Sequence, residues 1–409
     1  MRSYRSLFRT PEFTPLFLAS LVQVAAQTMS GLALGTLVYA ATDSPLLSAL
    51  SMFGPSLAQV LGATTLLSAA DRLPPRATIT GIALAFAAGT AILATPVPLW
   101  ATFALILLLG LVASLGGGVR WGLLNEILPK DGYLLGRSVF NMANGLTQIT
   151  GYATGGVLVT VLSPRGTLLT AAALYLAAAF AARLGLTRRA PRASGRPSVA
   201  ETWRTNARLW SYAPRRNVYL LLWIPNGLIV GCESLYVPYA PDHAGLLFAC
   251  AALGMFVGDV TVGRVLPPRA RPRFGIPLLL LLAAPYLVFA LRPGTPVAAV
   301  AVAVASVGFG ASLVQQERLI SLTPAELSGH ALGLHSAGML TTQGVSAGLA
   351  GAVAQLTSPG AAMVVMAAAS IAVTLSLSVA GQREERRPGG GGDGEGRAVG
   401  VLGVADVDG

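Results

Sequence analysis

Twelve long apolar runs divide this chain of 409 residues, and no other feature limits its fold so much. They fall at 13–41, 45–69, 77–95, 98–127, 134–161 and 165–186, then at 218–240, 244–263, 274–291, 295–318, 329–356 and 359–380. A helix of about 20 apolar residues crosses the hydrocarbon core of a bilayer. Backbone N–H and C=O groups in that core must be satisfied within the protein, so helices are the expected element. Composition agrees: 54% of residues are hydrophobic and 11% charged, against about 25% charged in a soluble domain. So few charges cannot cover a water-exposed surface, which sets aside a soluble enzyme, a disordered chain and a secreted disulfide scaffold. Cys232 and Cys250 lie inside apolar runs and form neither a disulfide framework nor a metal site. The expected class is an all-α integral membrane protein with twelve transmembrane helices.

The formal charge is +11, which in a soluble chain would suggest nucleic acid. Here the basic residues sit between apolar runs, so they report topology and no nucleic-acid partner is expected. With the N-terminus inside, Arg120, Lys130 and Arg137 are cytoplasmic. So are all but two of the 28 Lys+Arg, the exceptions being Arg165 and Arg292. That predicts a multi-pass protein of the cell membrane with both termini cytoplasmic. The first run is too long for a signal-peptide core and reads as an uncleaved span.

The domain reading is a six-helix half over 1–186, a basic cytoplasmic linker over 187–217, a second half over 218–381 and a disordered tail over 382–409. Within the linker, Val199 to Trp210 suits an amphipathic helix on anionic headgroups. An internal repeat supports the halves. LPPRA at Leu73–Ala77 recurs at Leu266–Ala270, and LLGRSVF at 134–140 stands opposite LSGHALG at 327–333 with the same offset.

These loops carry a resemblance. AADRLPPRA (69–77) is similar to the loop 2–3 motif of the major facilitator superfamily, with Asp71, Arg72 and Arg76 in matching places and Pro74-Pro75 replacing the usual Gly-Arg. The second copy, GDVTVGRVLPPRAR, supplies Asp259, Arg264 and Arg269. GYATGG (151–156) resembles the exporter-associated Gly-Pro-x-x-Gly-Gly, with Tyr152 in place of proline and Gly151, Gly155 and Gly156 suited to helix packing. The chain is most similar to the bacterial drug, macrolide and siderophore exporter branch. That resemblance implies the two-half fold, alternating access, proton-coupled efflux and a conformational gate at Asp71, Arg72, Arg76, Asp259, Arg264 and Arg269. An acid at a helix end can pair with arginine or cap a neighbouring helix. Thr323-Pro324-Ala325-Glu326 offers such a helix start.

Buried charge is the most informative class inside a membrane, because it costs several kcal/mol and is rarely kept without purpose. Glu233 lies deep in the seventh run with no charged residue nearby in sequence. It is the candidate proton carrier, or the counter-charge for a cationic substrate. Upstream, Pro225, Asn226 and Gly227 predict a broken, bendable helix. Gln23 and Gln27 share a face of the first span, and Asn141, Asn144 and Gln148 a face of the fifth. With Asn226 and Glu233, the residues Gln23, Gln27, Asn144 and Gln148 form the expected substrate cavity. His335, Thr342 and Ser346 share a face of the eleventh span.

No P-loop, zincin or nucleophile-elbow motif is present in the sequence, so no enzyme activity, cofactor or metal is expected. The expected partners are a small-molecule substrate, protons and the lipid bilayer, with the chain monomeric. Uptake or facilitated diffusion on the same fold, and a non-transporting scaffold, are the alternatives.

Overall fold

The computed structural model describes residues 4–70, 73–128, 130–190 and 199–385. The described residues are almost entirely helical and contain no strand. A short α1 (Tyr4–Phe8) leads into α2 (Phe13–Thr42), α3 (Pro45–Ala70), α4 (Pro75–Leu93), α5 (Leu99–Ile127) and α6 (Lys130–Gly185). After α7 (Val199–Ser211) come α8 (Ala213–Glu233), α9 (Tyr236–Tyr239) and α10 (Ala244–Val260). Then follow α11 (Arg271–Ala283), α12 (Thr295–Val307), α13 (Ala311–Ser321), α14 (Ser328–Leu356) and α15 (Pro359–Glu385).

Apolar length makes these helices, and local chemistry ends them. Proline occupies the first turn of α4, α8, α11 and α12, where its missing N–H costs nothing. Asp43 takes a left-handed conformation after α2, and its N–H closes on the Tyr39 carbonyl. Among the described residues nine helical segments are long and apolar enough to cross a membrane. One of them, within α6, carries two crossings, because Ser163 leaves helical geometry at φ 72° and ψ 163° just before Pro164. With α3 and α14 the twelve expected crossings are present.

In the first six spans α2 packs along α6, α3 along α5 and α4 along α6. In the last six, α8 packs on α14 and α15, and α10 on α12. The two sets meet where α3 faces α14 and α6 faces α10. One large apolar core fills the last six spans and reaches Leu32 of α2. A second, around Phe13 and Phe140, holds α1 and the first turns of α2 against α5 and α6.

Two expectations change. The seventh span is helical through Pro225, whose carbonyl accepts the Ser370 hydroxyl at 3.3 Å. The interruption falls instead at Ser234–Leu235, after Glu233. The Thr323 cap does not form: its hydroxyl donates to the Leu319 carbonyl at 2.7 Å, and a 3-10 turn at Ala325–Leu327 precedes α14. The amphipathic linker segment is a helix, α7, with Trp210 stacked on Trp223 of α8 at 5.5 Å. The first residues of the expected tail are helical, since α15 runs to Glu385; the rest of it lies outside the described residues.

Candidate functional site

Glu233 is the last residue of α8 and is 6% exposed. Its Oε1 is buried and has no hydrogen-bond partner among the described residues. Aromatic residues from both sets of spans surround it. The carboxyl interacts electrostatically with the hydroxyls of Tyr152, Tyr236 and Tyr286. Tyr236 and Tyr286 are hydrogen-bonded to each other through their hydroxyls. Tyr236 packs edge-on against Phe248, and Phe248 stacks on Tyr152 with centroids 4.8 Å apart. Tyr152 belongs to α6, so the position where the exporter motif has proline carries an aromatic ring across to the other set of spans.

Around this site the two sets close tightly. A Cβ on Gly156 would lie 2.9 Å from the Gly245 Cα, and one on Gly351 would lie 2.7 Å from the Leu46 Cα. Only glycine permits backbones that close. Gly151 and Gly155 pack against Thr28 and Met29 of α2. The Ser44 hydroxyl donates to the Gln355 side chain at 2.8 Å across the same end. Gly227 is a close-packing position too, where a Cβ would meet Thr342 of α14 at 2.9 Å.

The expected cavity residues divide. Gln23 accepts a hydrogen bond from Arg120 at 3.1 Å, and this is the guanidinium's only hydrogen bond among the described residues. Sequence reasoning counted Arg120, inside the 98–127 run, only as a topological marker and so missed this pairing. Asn226 is 5% exposed and accepts from Gln343 of α14 at 3.3 Å, so it joins two helices and does not line an open cavity. Asn144 is half-buried with an unpartnered Oδ1, Gln148 is half-buried and Gln27 is exposed. None of the three bonds to Glu233. His335 is buried with an unpartnered Nδ1, and its carbonyl accepts from Trp223 at 3.0 Å.

The arginine-rich end is arranged differently from the expected gate. Asp71 and Arg72 lie outside the described residues. Arg76 donates to the Arg183 carbonyl, which ties the first turn of α4 to the last turn of α6. In the second copy the ion pair is Arg271–Glu317, neither of which the motif singled out. Arg271 also donates to the Leu266 and Gly263 carbonyls. Asp259 is exposed and forms no ion pair among the described residues, and Arg269 is exposed in the turn before α11. Arg264 reaches across to the Met142 sulfur at 3.1 Å.

Twelve apolar crossings in two facing sets, together with the family match that follows, define a multi-pass membrane transporter and not an enzyme. The chain belongs to the Major Facilitator Superfamily, whose family model matches residues 16–316. Its fold is similar to a POT family transporter solved with a thioalcohol-conjugated peptide, at 12% identity and TM-score 0.72, covering 91% of this chain and 96% of that one. It is similar also to the nucleoside transporter NupG, at 13% identity and TM-score 0.71 over 90% and 98% of the two chains. A third likeness is to a bacterial homologue of the human lysosomal transporter Spinster in an inward-facing, unoccupied conformation. There the identity is 13% and the TM-score 0.66 over 93% and 96%. At these identities the likeness is one of fold, and it does not single out the exporter branch. Among curated protein sequences nothing matches the chain.

Proposed function

We propose that the protein is a proton-coupled exporter of a small lipophilic molecule, working as a monomer in the cell membrane with Glu233 as the proton carrier. The observation that carries this reading is the placement of Glu233: a buried carboxyl oxygen without a hydrogen-bond partner, between the two sets of spans, beside Tyr152 of the opposite set. An isolated charge in so apolar a place is costly, and taking up a proton removes that cost. Loading and unloading the proton therefore changes how the two sets pack. One charge moving through about 150 mV is worth roughly 3.5 kcal/mol, or about 2.5 decades of gradient.

Arginine distribution supports placing the arginine-rich end, with both termini, in the cytoplasm. The close contacts at Gly156–Gly245 and Leu46–Gly351 then seal the outer side. In the alternate state Asp71, Arg72, Arg76, Asp259 and Arg264 close the inner side. Tyr152 in place of the motif proline favours a second reading, uptake on the same fold. Everted vesicles separate the two: export predicts proton-gradient-driven accumulation of dyes such as ethidium inside them, and uptake predicts none.

A further inference from the structure

A crevice between α10 and α11 takes no part in the transport reading. Gly258, Val262, Leu266, Phe274, Pro277 and Leu281 bound about 290 Å³ of it, and Thr261 is the only hydroxyl in its lining. The π-helical turn Thr261–Val265 that follows α10 widens the helix there, with Leu266 N–H closing on the Thr261 carbonyl at 2.8 Å. Phe274 at its edge is exposed. A space this dry suits a hydrocarbon and offers a polar ligand nothing.

The residues next to the lining in sequence are strongly basic. Arg269 and Arg273 are exposed and make no hydrogen bond or ion pair among the described residues. Arg264 is exposed at the end of the π-helical turn. Arg271 is not available to a ligand in the same way, because it is held by Leu266, Gly263 and Glu317. That ion pair offsets Glu317, while Asp259, next to Gly258 of the lining in sequence, forms no ion pair among the described residues. Two unpartnered guanidiniums beside an apolar slot in a membrane-spanning bundle match an anion carrying an acyl chain.

We propose that this crevice and its arginines form a binding site for an anionic phospholipid. One acyl chain lies along Val262, Phe274 and Leu281, and the phosphate sits against Arg269 and Arg273. The lipid then rests on the π-helical turn next to Arg264, whose guanidinium touches Met142 of the opposite set of spans. The site is separate from Glu233 and stands or falls independently of the coupling proposal.

The test is native mass spectrometry of the full chain in detergent, titrated with phosphatidylglycerol or with phosphatidylcholine of identical acyl chains. Each arginine near an anionic surface contributes roughly five-fold, so the pair contributes about thirty-fold. The wild-type protein should retain phosphatidylglycerol at least five-fold more strongly than phosphatidylcholine. Arg269→Gln/Arg273→Gln should lose five-fold or more in phosphatidylglycerol affinity and leave phosphatidylcholine unchanged. Leu281→Trp, which fills the slot, should weaken both lipids. A smaller preference, a smaller loss in the arginine variant, or full retention by a folded Leu281→Trp protein would each overturn the proposal. Should Leu281→Trp fail to fold, the arginine pair alone decides.

Discussion

Glu233 is a buried charge and Arg120 a half-buried one, in opposite circumstances, and each makes a prediction of its own. Glu233 has no hydrogen-bond partner at Oε1 among the described residues, and its task in the proposed mechanism is to change protonation. Glu233→Asp keeps a titrating group but draws it back by one methylene. Transport should survive with a displaced pH profile, and an unchanged profile would count against the assignment. Arg120 has one hydrogen-bond partner, Gln23. Removing that partner leaves a half-buried guanidinium unsatisfied, which costs up to about 1–3 kcal/mol. Gln23→Leu should therefore lower the melting temperature in detergent, and Gln23→Leu/Arg120→Met should recover most of the loss, because replacing both partners removes the unpaired group. Additive losses in the double variant would show that the pair does not act together. Neither residue's partner was legible from sequence: Gln23 and Arg120 are far apart in the chain, and arginine counting alone reads Arg120 as topogenic. Glu233 was legible because a lone acid in an apolar run is a local signal.

At the scale of elements, close packing decides more than bending does. A side chain on Gly156 would strike the Gly245 backbone, and overpacking of this kind costs about 1–3 kcal/mol. Gly156→Leu should keep the protein in the membrane but reduce transport severely. Gly155→Ala meets only Met29 at 3.3 Å and should be mild, and equal effects would remove the cross-set contact from the account. Ser163 holds a backbone conformation that suits glycine, so Ser163→Gly should raise thermal stability or leave it unchanged despite losing the Ser163 hydroxyl's contact with the Gly166 N–H. A clear loss of stability would contradict the strain. Span positions were legible because run length and hydropathy are properties of short segments. Helix interruptions were less so. Proline and glycine at 225–227 suggested a break, but the helix continues through them, the Pro225 carbonyl accepts from Ser370, and Gly227 serves the approach of α14. The Thr323 signature failed for a related reason: the same hydroxyl could cap the next helix or bond back to Leu319, and it bonds back.

For the whole molecule, the repeat and the two-half architecture were readable, while the pairing of helices between halves was not, because it depends on contacts such as Ser44–Gln355 that no local pattern announces. That contact offers a test of alternating access. In a background with Cys232 and Cys250 replaced by alanine, Ser44→Cys/Gln355→Cys should cross-link with a short thiol reagent and stop transport until reduced. Undiminished transport in the cross-linked protein would mean that this end does not open. The central claim is that Glu233 carries the proton that drives transport. Its most direct test is pH-gradient-driven ethidium accumulation in everted vesicles containing equal amounts of wild-type or Glu233→Gln protein. The account predicts accumulation in wild-type vesicles that collapses with the gradient, and none above background with Glu233→Gln, although ethidium still binds. Full gradient-dependent accumulation by Glu233→Gln would contradict it.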